Sequence, residues 1–414
     1  MEENKSKPLD SFERALKKLK DRRERILSGL INCIPLPFPR LRLWLPGIEK
    51  RRYNIVTANQ KIGKSKFSDY LYVYESFFYA VEHPDQLRLK ILYFTLEMGK
   101  EEKFYEFLCH LLFKLDRIRI SPTDLKSTSS ENPCPQEVLD LLETERYLFY
   151  IDKFKEVCTY IDDERNPTGI NKYCRKFALS RGKFIFKTVD TINEAGEKDT
   201  RKIVDYYKPD DPDEYVIVIL DNFSNLMSES NMNKMQTIEK MSKYFITQRD
   251  QFDFNITVIQ HQAQAQEGIE NQKLNKMMPS SDGLADCKTT TRDANLVLGL
   301  YSPFKYGLKE YEKYDITKFK NNIRFLQVIE DRDNGAGGQI CPLFFDGAVS
   351  VFSELPLPDD TTNIAKVLIY IENTLRRKTN HVFLNFGIRK GRVKLIKRKL
   401  HKIFKKSIFV FKLK

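Results

Sequence analysis

The chain has 414 residues, of which 41% are hydrophobic and 31% are charged, a balance that is typical of globular proteins. No apolar run approaches the roughly 20 residues that a membrane-spanning helix needs, and the N-terminal sequence is not a signal peptide. The seven cysteines lack a Cys-x-x-Cys pair, which favours free thiols in a cytoplasmic protein over a zinc site or disulfides.

The net charge of +13 is concentrated at the C-terminal end of the chain. Residues 361–414 contain 16 Lys and Arg residues and one acid, Glu372, and carry +15, which leaves −2 on the first 360 residues. Nucleic-acid binding by the core must therefore depend on individual loops rather than on overall charge. We interpret 356–414 as a basic C-terminal extension. Its mixture of basic and apolar residues fits a nucleic-acid arm, a helix for an acidic partner or a membrane-surface helix.

The first predicted element is a basic amphipathic helix over 10–31, which the Pro-rich segment 35–39 ends. Its apolar side chains lie near one face and need cover from the chain's own core or from a neighbouring subunit. We therefore interpret 1–39 as an N-terminal linker helix that precedes the core.

The segment 53–66 combines a short apolar run, a polar loop and the start of a helical pattern. This order is the context of a phosphate-binding loop, in which Lys64 reaches the terminal phosphates and Ser65 ligates Mg²⁺. Ala58 stands where the pattern G-x-x-x-x-G-K-[ST] has its first glycine, and alanine lacks the conformational freedom of glycine. The predicted nucleotide-binding residues are Ala58, Asn59, Gln60, Lys61, Ile62, Gly63, Lys64, Ser65 and Lys66.

The rest of the core alternates strands with helices, which predicts an α/β fold with a mostly parallel central sheet over 40–355. Strands are predicted at 91–98, near 158–161, and at 214–222, 255–262, 295–301, 323–330 and 340–352, the last as a closing hairpin. Helices are predicted at about 99–115, 168–180 and 233–250. The segments 121–136 and 263–292 are predicted loops, and 183–207 is a predicted inserted hairpin.

Polar residues follow four of the buried strands, and the carboxyl ends of parallel strands meet at one edge of a sheet. Lys64 and Ser65 would lie there beside Glu97, Asp221 and Gln262. Asp221 would hold the Mg²⁺ shell, Glu97 would activate water as a general base, and Gln262 would sense the γ-phosphate. Together these residues predict hydrolysis of a nucleoside triphosphate.

The ordered motifs TANQKIGKS, YFTLEM, VIVILDNFSNLM, VIQHQ, DGLADCKTTTRDANLVLGLY and FFDG resemble the RecA-type motor domain of DnaB-like replicative helicases, including phage-encoded members. The resemblance covers about 40–355 and implies a RecA-like P-loop NTPase that takes ATP and Mg²⁺. It assigns the catalytic base to Glu97 and the coupling of nucleotide state to DNA to Gln262. The DNA-facing loops fall within 263–292, where the candidate phosphate contacts are Lys273, Lys276, Lys288 and Arg292.

Two departures from the family pattern concern the subunit interface and the N-terminal region. The family's Lys-x-Arg pair reads here as Glu330-Asp331-Arg332, so Arg332 can serve as an arginine finger while the lysine is missing. The roughly 50 residues before the core are too short for the family's globular N-terminal domain. Primase docking through that domain is not implied, and a helicase loader or a primase stays open as a partner.

We therefore predict a hexameric, ATP-driven DNA helicase of replication that threads single-stranded DNA and acts in the cytoplasm, or in the host cytoplasm if it is phage-encoded. With this core, DNA is favoured over a membrane as the partner of the basic extension. Two alternatives stay open. One is a non-translocating ATPase of the same fold, such as a recombinase, recombination mediator or helicase loader. The other is a weakly hydrolysing DNA-binding scaffold, which Ala58 and the missing lysine would suit.

Overall fold

A nine-stranded sheet forms the centre of the molecule in the computed structural model, which describes residues 11–131, 133–192, 198–274 and 276–375. In chain order the strands are β1 (Cys33–Pro35), β2 (Gly47–Glu49), β3 (Arg52–Ala58), β4 (Arg88–Thr95), β5 (Cys158–Ile161), β6 (Gly182–Ile192), β7 (Lys198–Pro209), β8 (Glu214–Asp221), β9 (Asn255–His261), β10 (Leu296–Tyr301), β11 (Glu310–Tyr311), β12 (Tyr314–Asp315), β13 (Ile323–Asp331), β14 (Ile340–Asp346) and β15 (Val351–Glu354).

The central sheet has the order β15-β14-β13-β10-β3-β9-β8-β4-β5. The six strands from β10 to β5 run parallel, and β13, β14 and β15 add an antiparallel edge. This arrangement confirms the predicted α/β class with a mostly parallel sheet.

Both faces of the sheet are covered, as the burial of both sides of the inner strand β8 shows. In β8, Ile217 and Ile219 pack into one hydrophobic cluster, whereas Val218 and Leu220 pack into a second cluster on the opposite face. Helices therefore cover the sheet from both sides, and the carboxyl ends of the six parallel strands lie together along one end of the sheet.

The α-helices are α1 (Ser11–Leu27), α2 (Lys64–Ser68), α3 (Ser76–Glu82), α4 (Lys100–Asp116), α5 (Pro122–Leu125), α6 (Gln136–Leu142), α7 (Glu145–Val157), α8 (Pro167–Leu179), α9 (Lys234–Phe252), α10 (Ile269–Lys273), α11 (Thr290–Asp293), α12 (Ile316–Phe319) and α13 (Thr361–Tyr370). A π-helical segment, Asp69–Glu75, joins α2 to α3 without a break. Helices α4, α8 and α9 lie where helices were predicted. The sequence prediction missed α6 and α7, although Tyr147, Ile151 and Phe154 of α7 are buried at helical spacing. It was also wrong in treating 121–136 and 263–292 as loops throughout, since α5 lies within the first segment and α10 and most of α11 lie within the second.

The N-terminal helix α1 contacts the hairpin formed by β6 and β7, and both lie outside the central sheet. The strands β6 and β7 form an antiparallel hairpin that reaches from Gly182 to Pro209. Arg14 of α1 forms an ion pair with Asp205 of this hairpin, at 2.9 Å between Nη1 and Oδ2. The apolar stripe of α1 stays exposed in the single chain, since Phe12 and Leu19 are 71% and 64% exposed.

The C-terminal helix α13 packs against the core, since its partly buried Ile364, Val367 and Leu368 contact a cluster that contains Phe325 and Phe344. Asp360 caps its first turn by accepting a hydrogen bond from the backbone N–H of Asn363 at 3.1 Å. The remainder of the predicted basic extension, 376–414, lies outside the described residues. Among the described helices, none combines the length and the apolar character that crossing a bilayer requires.

Candidate nucleotide-binding site

The predicted phosphate-binding loop connects β3 to α2 at the carboxyl edge of the parallel strands. Gly63 is the N-cap residue of α2 with a φ of 102°, and Lys61 also has a positive φ of 60°. A Cβ atom on Gly63 would lie 3.2 Å from the ring of Phe345, so both backbone conformation and space favour glycine there. Ala58, by contrast, is the buried last residue of β3. Because extended backbone suits alanine, its presence at this position does not strain the loop.

Lys64 and Ser65 face the two carboxylates that the sequence placed beside them. Lys64 is 6% exposed, and burial lowers the pKa of its ammonium, while the charges of Asp221 and Glu97 act in the opposite direction. The Ser65 hydroxyl donates a hydrogen bond to Asp221 Oδ1 at 3.2 Å. Hydroxyl and carboxylate oxygens are ligands that Mg²⁺ prefers, so this pair fits a magnesium ion. The backbone N–H groups of the loop fit the phosphates of a nucleotide.

Glu97 lies in the turn after β4, which ends at Thr95, and its side chain is exposed. The Asn222 side-chain amide donates a 2.6 Å hydrogen bond to Glu97 Oε2, and its nitrogen lies 3.1 Å from His261 Nε2. Asn222 follows the predicted metal ligand at the end of β8, so it holds the predicted base close to the metal site. The sequence prediction singled out neither Asn222 nor His261 for this position.

The side chain of Gln262 links β3 to the segment 263–292. Its Nε2 donates to Thr57 Oγ1 and to the Ser280 carbonyl, both at 3.0 Å, and its Oε1 accepts from the Ser280 N–H at 3.2 Å. The preceding residue, His261, is the one that contacts the Glu97–Asn222 pair. Gln262 therefore contacts the strand before the phosphate-binding loop and the predicted DNA loop at the same time.

Residues on both sides of β10 in the chain, Met277 before it and Lys305 and Tyr306 after it, contact the phosphate-binding loop. The Asn59 side-chain amide donates to the Met277 carbonyl at 2.9 Å and to the Tyr306 hydroxyl at 2.6 Å. Lys305 Nζ donates to the Gln60 carbonyl at 2.9 Å. The phosphate-binding loop is therefore held by residues that lie outside its own sequence motif.

A buried arginine supports the loop from the antiparallel edge of the sheet. Arg324 of β13 donates from Nε to the Ile62 carbonyl at 2.7 Å and lies over the Phe345 ring, with Cζ 4.5 Å from its centroid. Burial lowers the pKa of this guanidinium to about 9. The sequence contains no pattern that marks this contact, because its partners lie 262 residues apart.

Arg332 lies at the amino ends of the parallel strands, whereas Lys64 lies at their carboxyl ends. It follows Asp331, which pairs with Leu296 at the start of β10, and Leu296 pairs with Asn54 near the start of β3. Four residue steps of β3 at about 3.3 Å each separate Asn54 from Ala58 by roughly 13 Å, and two strand spacings of about 4.8 Å separate β13 from β3, which together exceed the length of an arginine side chain. Arg332 therefore cannot reach the phosphate-binding loop of its own chain.

The four predicted DNA-contacting cations are exposed and lie along one segment. Lys273 ends α10, and Lys276 precedes Met277, whose carbonyl binds the phosphate-binding loop. Lys288 and Arg292 lie at the other end of the segment, where the Arg332 guanidinium donates to the Arg292 carbonyl. The segment 263–292 therefore contacts the phosphate-binding loop near Met277 and contacts Arg332 near Arg292.

The sheet order and the geometry of the loop after β3 are those of a RecA-like P-loop fold. No protein-family model matches the sequence, and it has no match among curated proteins. Two of the solved structures that share its fold are DnaB-like proteins. A DnaB-like replicative helicase, described together with its interactions with primase, matches with a TM-score of 0.56 and 16% identity over 83% of this chain and 67% of that chain. The ATPase domain of a phage DnaB-like helicase matches with a TM-score of 0.57 and 16% identity over 84% of this chain and all of that domain.

These two likenesses confirm the predicted resemblance at the level of fold. The described core has the RecA-like α/β fold of the ATPase domain of DnaB-like replicative helicases.

Proposed function

We propose that this protein is an ATP-driven DNA translocase of the DnaB type that acts in replication. The observation that carries the proposal is that the candidate nucleotide-binding residues and Arg332 lie at opposite ends of the parallel strands. Lys64, Ser65, Glu97 and Asp221 converge at one edge, and the exposed Arg332 lies at the other. A ring of identical subunits, with six as the proposed number, would bring the arginine of one subunit to the nucleotide of the next.

The chain's own residues have distinct roles in the proposed hydrolysis. Lys64 and the backbone of the phosphate-binding loop bind the phosphates, and Ser65 and Asp221 hold the magnesium ion. When bound, that ion neutralises charge that develops on the phosphate oxygens. Glu97, whose carboxylate is held by Asn222, accepts a proton from the attacking water. Because Asn222 occupies Oε2, the other oxygen of Glu97 is available for that water.

Coupling to DNA would run through Gln262. Its side chain contacts both β3 and Ser280, so a shift at the phosphate-binding loop would be transmitted to the segment that carries Lys273, Lys276, Lys288 and Arg292. Those cations would bind the phosphates of a single strand in the central channel. A helicase loader or a primase would be a further partner.

A weakly hydrolysing DNA-binding scaffold is the second candidate. Glu330 occupies the position of the family's lysine, and its carboxylate accepts a hydrogen bond from the Ser281 hydroxyl within the same chain. A carboxylate that is used internally cannot supply the positive charge of the missing lysine to a neighbouring subunit. Arg332 alone would then stabilise the transferred phosphate.

Steady-state ATP hydrolysis with and without single-stranded DNA tests the proposal. We expect magnesium-dependent hydrolysis that single-stranded DNA stimulates. Lys64→Ala should weaken nucleotide binding about 30-fold or more, because it removes a buried cation that pairs with phosphate. Lys172→Ala, which removes an exposed lysine of α8, is the control and should behave as wild type. Nucleotide binding without hydrolysis, unchanged by DNA, would favour the scaffold instead.

Removing 376–414 should change the salt dependence of DNA binding. This segment contains 15 Lys and Arg residues and no acid, so its removal leaves a net charge of −2. Helix α13 is retained because it packs on the core. Fewer released counterions should flatten the slope of log K against log salt, by about 0.7 for each lost phosphate contact. DNA-stimulated hydrolysis should persist at low salt, because the loop cations remain.

The matched control keeps the segment 376–414 at full length and replaces its Lys and Arg residues by Gln. It should reproduce the flattened slope if charge is responsible. If the slope of log K against log salt is the same for the full-length, truncated and substituted proteins, DNA is not the partner of 376–414.

A further inference from the structure

The proposed metal ligand Asp221 is held from behind by a buried polar cluster. Its Oδ1 faces the Ser65 hydroxyl, whereas its Oδ2 accepts a 3.0 Å hydrogen bond from the Tyr93 hydroxyl. Lys103 Nζ lies 3.4 Å from the same Oδ2 and 2.8 Å from Asp69 Oδ2. The two oxygens of Asp221 therefore have different partners, one on the side of the nucleotide and one in the interior.

The charges of Lys103 and of its two aspartate partners are almost fully buried. The side chains of Lys103, Asp69 and Asp221 are 0%, 1% and 2% exposed. Burial acts to lower the pKa of Lys103, but the carboxylates of Asp69, Asp221 and Glu106 together raise it above its usual value. Lys103 is therefore an ammonium that donates to both aspartates. A buried charge of this kind is strongly destabilising if a partner is removed singly.

The cluster joins the two helices on either side of the candidate site. Lys103 lies in the first turn of α4, directly after the turn that carries Glu97, and Asp69 begins the π-helical segment that continues α2. Lys66 Nζ lies 2.7 Å from Glu106 Oε1 and adds a second link between these helices. Three carboxylates against two lysines give the cluster a net charge of −1.

Ion pairing for stability alone would not require contact with Asp221. Asp69 Oδ1 and Glu106 Oε2 are buried without a hydrogen-bond partner among the described residues, although Lys103 lies beside both side chains. One Lys103 contact goes instead to Asp221, which also has Tyr93 and Ser65 as partners. Two donors on Oδ2 prevent rotation of the carboxylate, and this fixes the direction in which Oδ1 points.

We propose that Lys103, together with Tyr93, is a positioning residue that holds Oδ2 of Asp221 so that Oδ1 faces Ser65 and the magnesium ion of a bound nucleotide. The inference rests on the proposed function, since it concerns the same magnesium-nucleotide site. Groups that orient metal ligands from behind typically change metal affinity 10- to 100-fold when they are lost.

The test measures how much Mg²⁺ strengthens nucleotide binding. ADP affinity is determined by calorimetry in EDTA and in Mg²⁺, and the ratio of the two is compared between variants. The main variant is Asp69→Asn/Lys103→Met, which removes one charge of each sign and keeps the cluster at −1 to limit the loss of stability. We expect its magnesium-dependent gain to fall about tenfold, with EDTA affinity within about twofold of wild type.

Tyr93→Phe removes only the hydroxyl donor and should lower the same ratio by a smaller factor. Lys114→Met is the control, because Lys114 also lies in α4 and pairs with a carboxylate, Glu75, at 2.9 Å, without contacting Asp221. It should leave the ratio unchanged. Thermal unfolding of each variant establishes that the compared proteins are folded.

The outcomes separate the inference from the function on which it rests. A wild-type ratio in the folded double variant would overturn the positioning role and leave the proposed function intact. Equal losses of affinity in EDTA and in Mg²⁺ would assign the cluster a structural role only, which also overturns the inference. A wild-type protein whose ADP affinity does not respond to Mg²⁺ would overturn both.

Discussion

Arg332→Ala is expected to lower kcat for ATP hydrolysis by roughly 10³-fold or more, the usual contribution of an arginine finger. Nucleotide binding should change little, because Lys64 and the rest of the phosphate-binding loop stay intact and an arginine finger acts mainly on the charge of the transition state. Because Glu330 replaces the family's lysine, Arg332 is the cation that we propose each subunit supplies to the nucleotide of its neighbour. Arg201→Ala, which removes an exposed arginine of the hairpin, is the control and should hydrolyse ATP normally.

Mixing two inactive variants tests whether the site is shared between subunits. Arg332→Ala subunits retain an intact phosphate-binding loop, and Lys64→Ala subunits retain an intact arginine. In mixed oligomers some interfaces combine the two intact halves, so part of the activity should return. If preparations with proven mixed oligomers stay inactive at every mixing ratio, the arginine does not act on a neighbouring nucleotide.

Glu97→Gln is expected to lower kcat by roughly 10²-fold or more while ATP affinity is retained. The amide has nearly the same shape as the carboxylate and can still accept the hydrogen bond of Asn222 through its oxygen, but it cannot accept a proton from water. Rapid-quench measurement of a single turnover, together with equilibrium binding of ATP, separates the chemical step from binding.

The matched control for this substitution is Glu101→Gln, which neutralises an exposed carboxylate in the first turn of α4. It should leave hydrolysis unchanged. A small loss of similar size in both variants would show that Glu97 is not the base.

Much of the fold could be predicted from the sequence, because its central strands are apolar runs that end in polar residues. The runs in β4 and β8, together with the loop after β3, were sufficient to predict that Lys64, Glu97 and Asp221 meet at one edge of the sheet. Helix α7 shows the limit of that approach. Its buried residues have helical spacing, but no element was predicted between 137 and 157.

The side chains that support the site could not be predicted, because their contacts depend on packing between distant elements. Lys103 and Asp221 are 118 residues apart, and Arg324 contacts a carbonyl 262 residues away. Side-chain direction in a strand alternates with every residue, so sequence alone could not decide between His261 and Gln262 as the neighbour of Glu97. The structure places His261 beside the Glu97–Asn222 pair and turns Gln262 toward Thr57 and Ser280.

Movement along DNA is tested most directly by displacement of streptavidin from biotinylated single-stranded oligonucleotides, labelled at either end. With ATP and Mg²⁺, we expect wild-type protein to displace streptavidin from one end much faster than from the other. A non-hydrolysable ATP analogue and the Glu97→Gln variant should both fail to do so. Hydrolysis of ATP and binding of the oligonucleotide without faster displacement from either end would contradict a translocase.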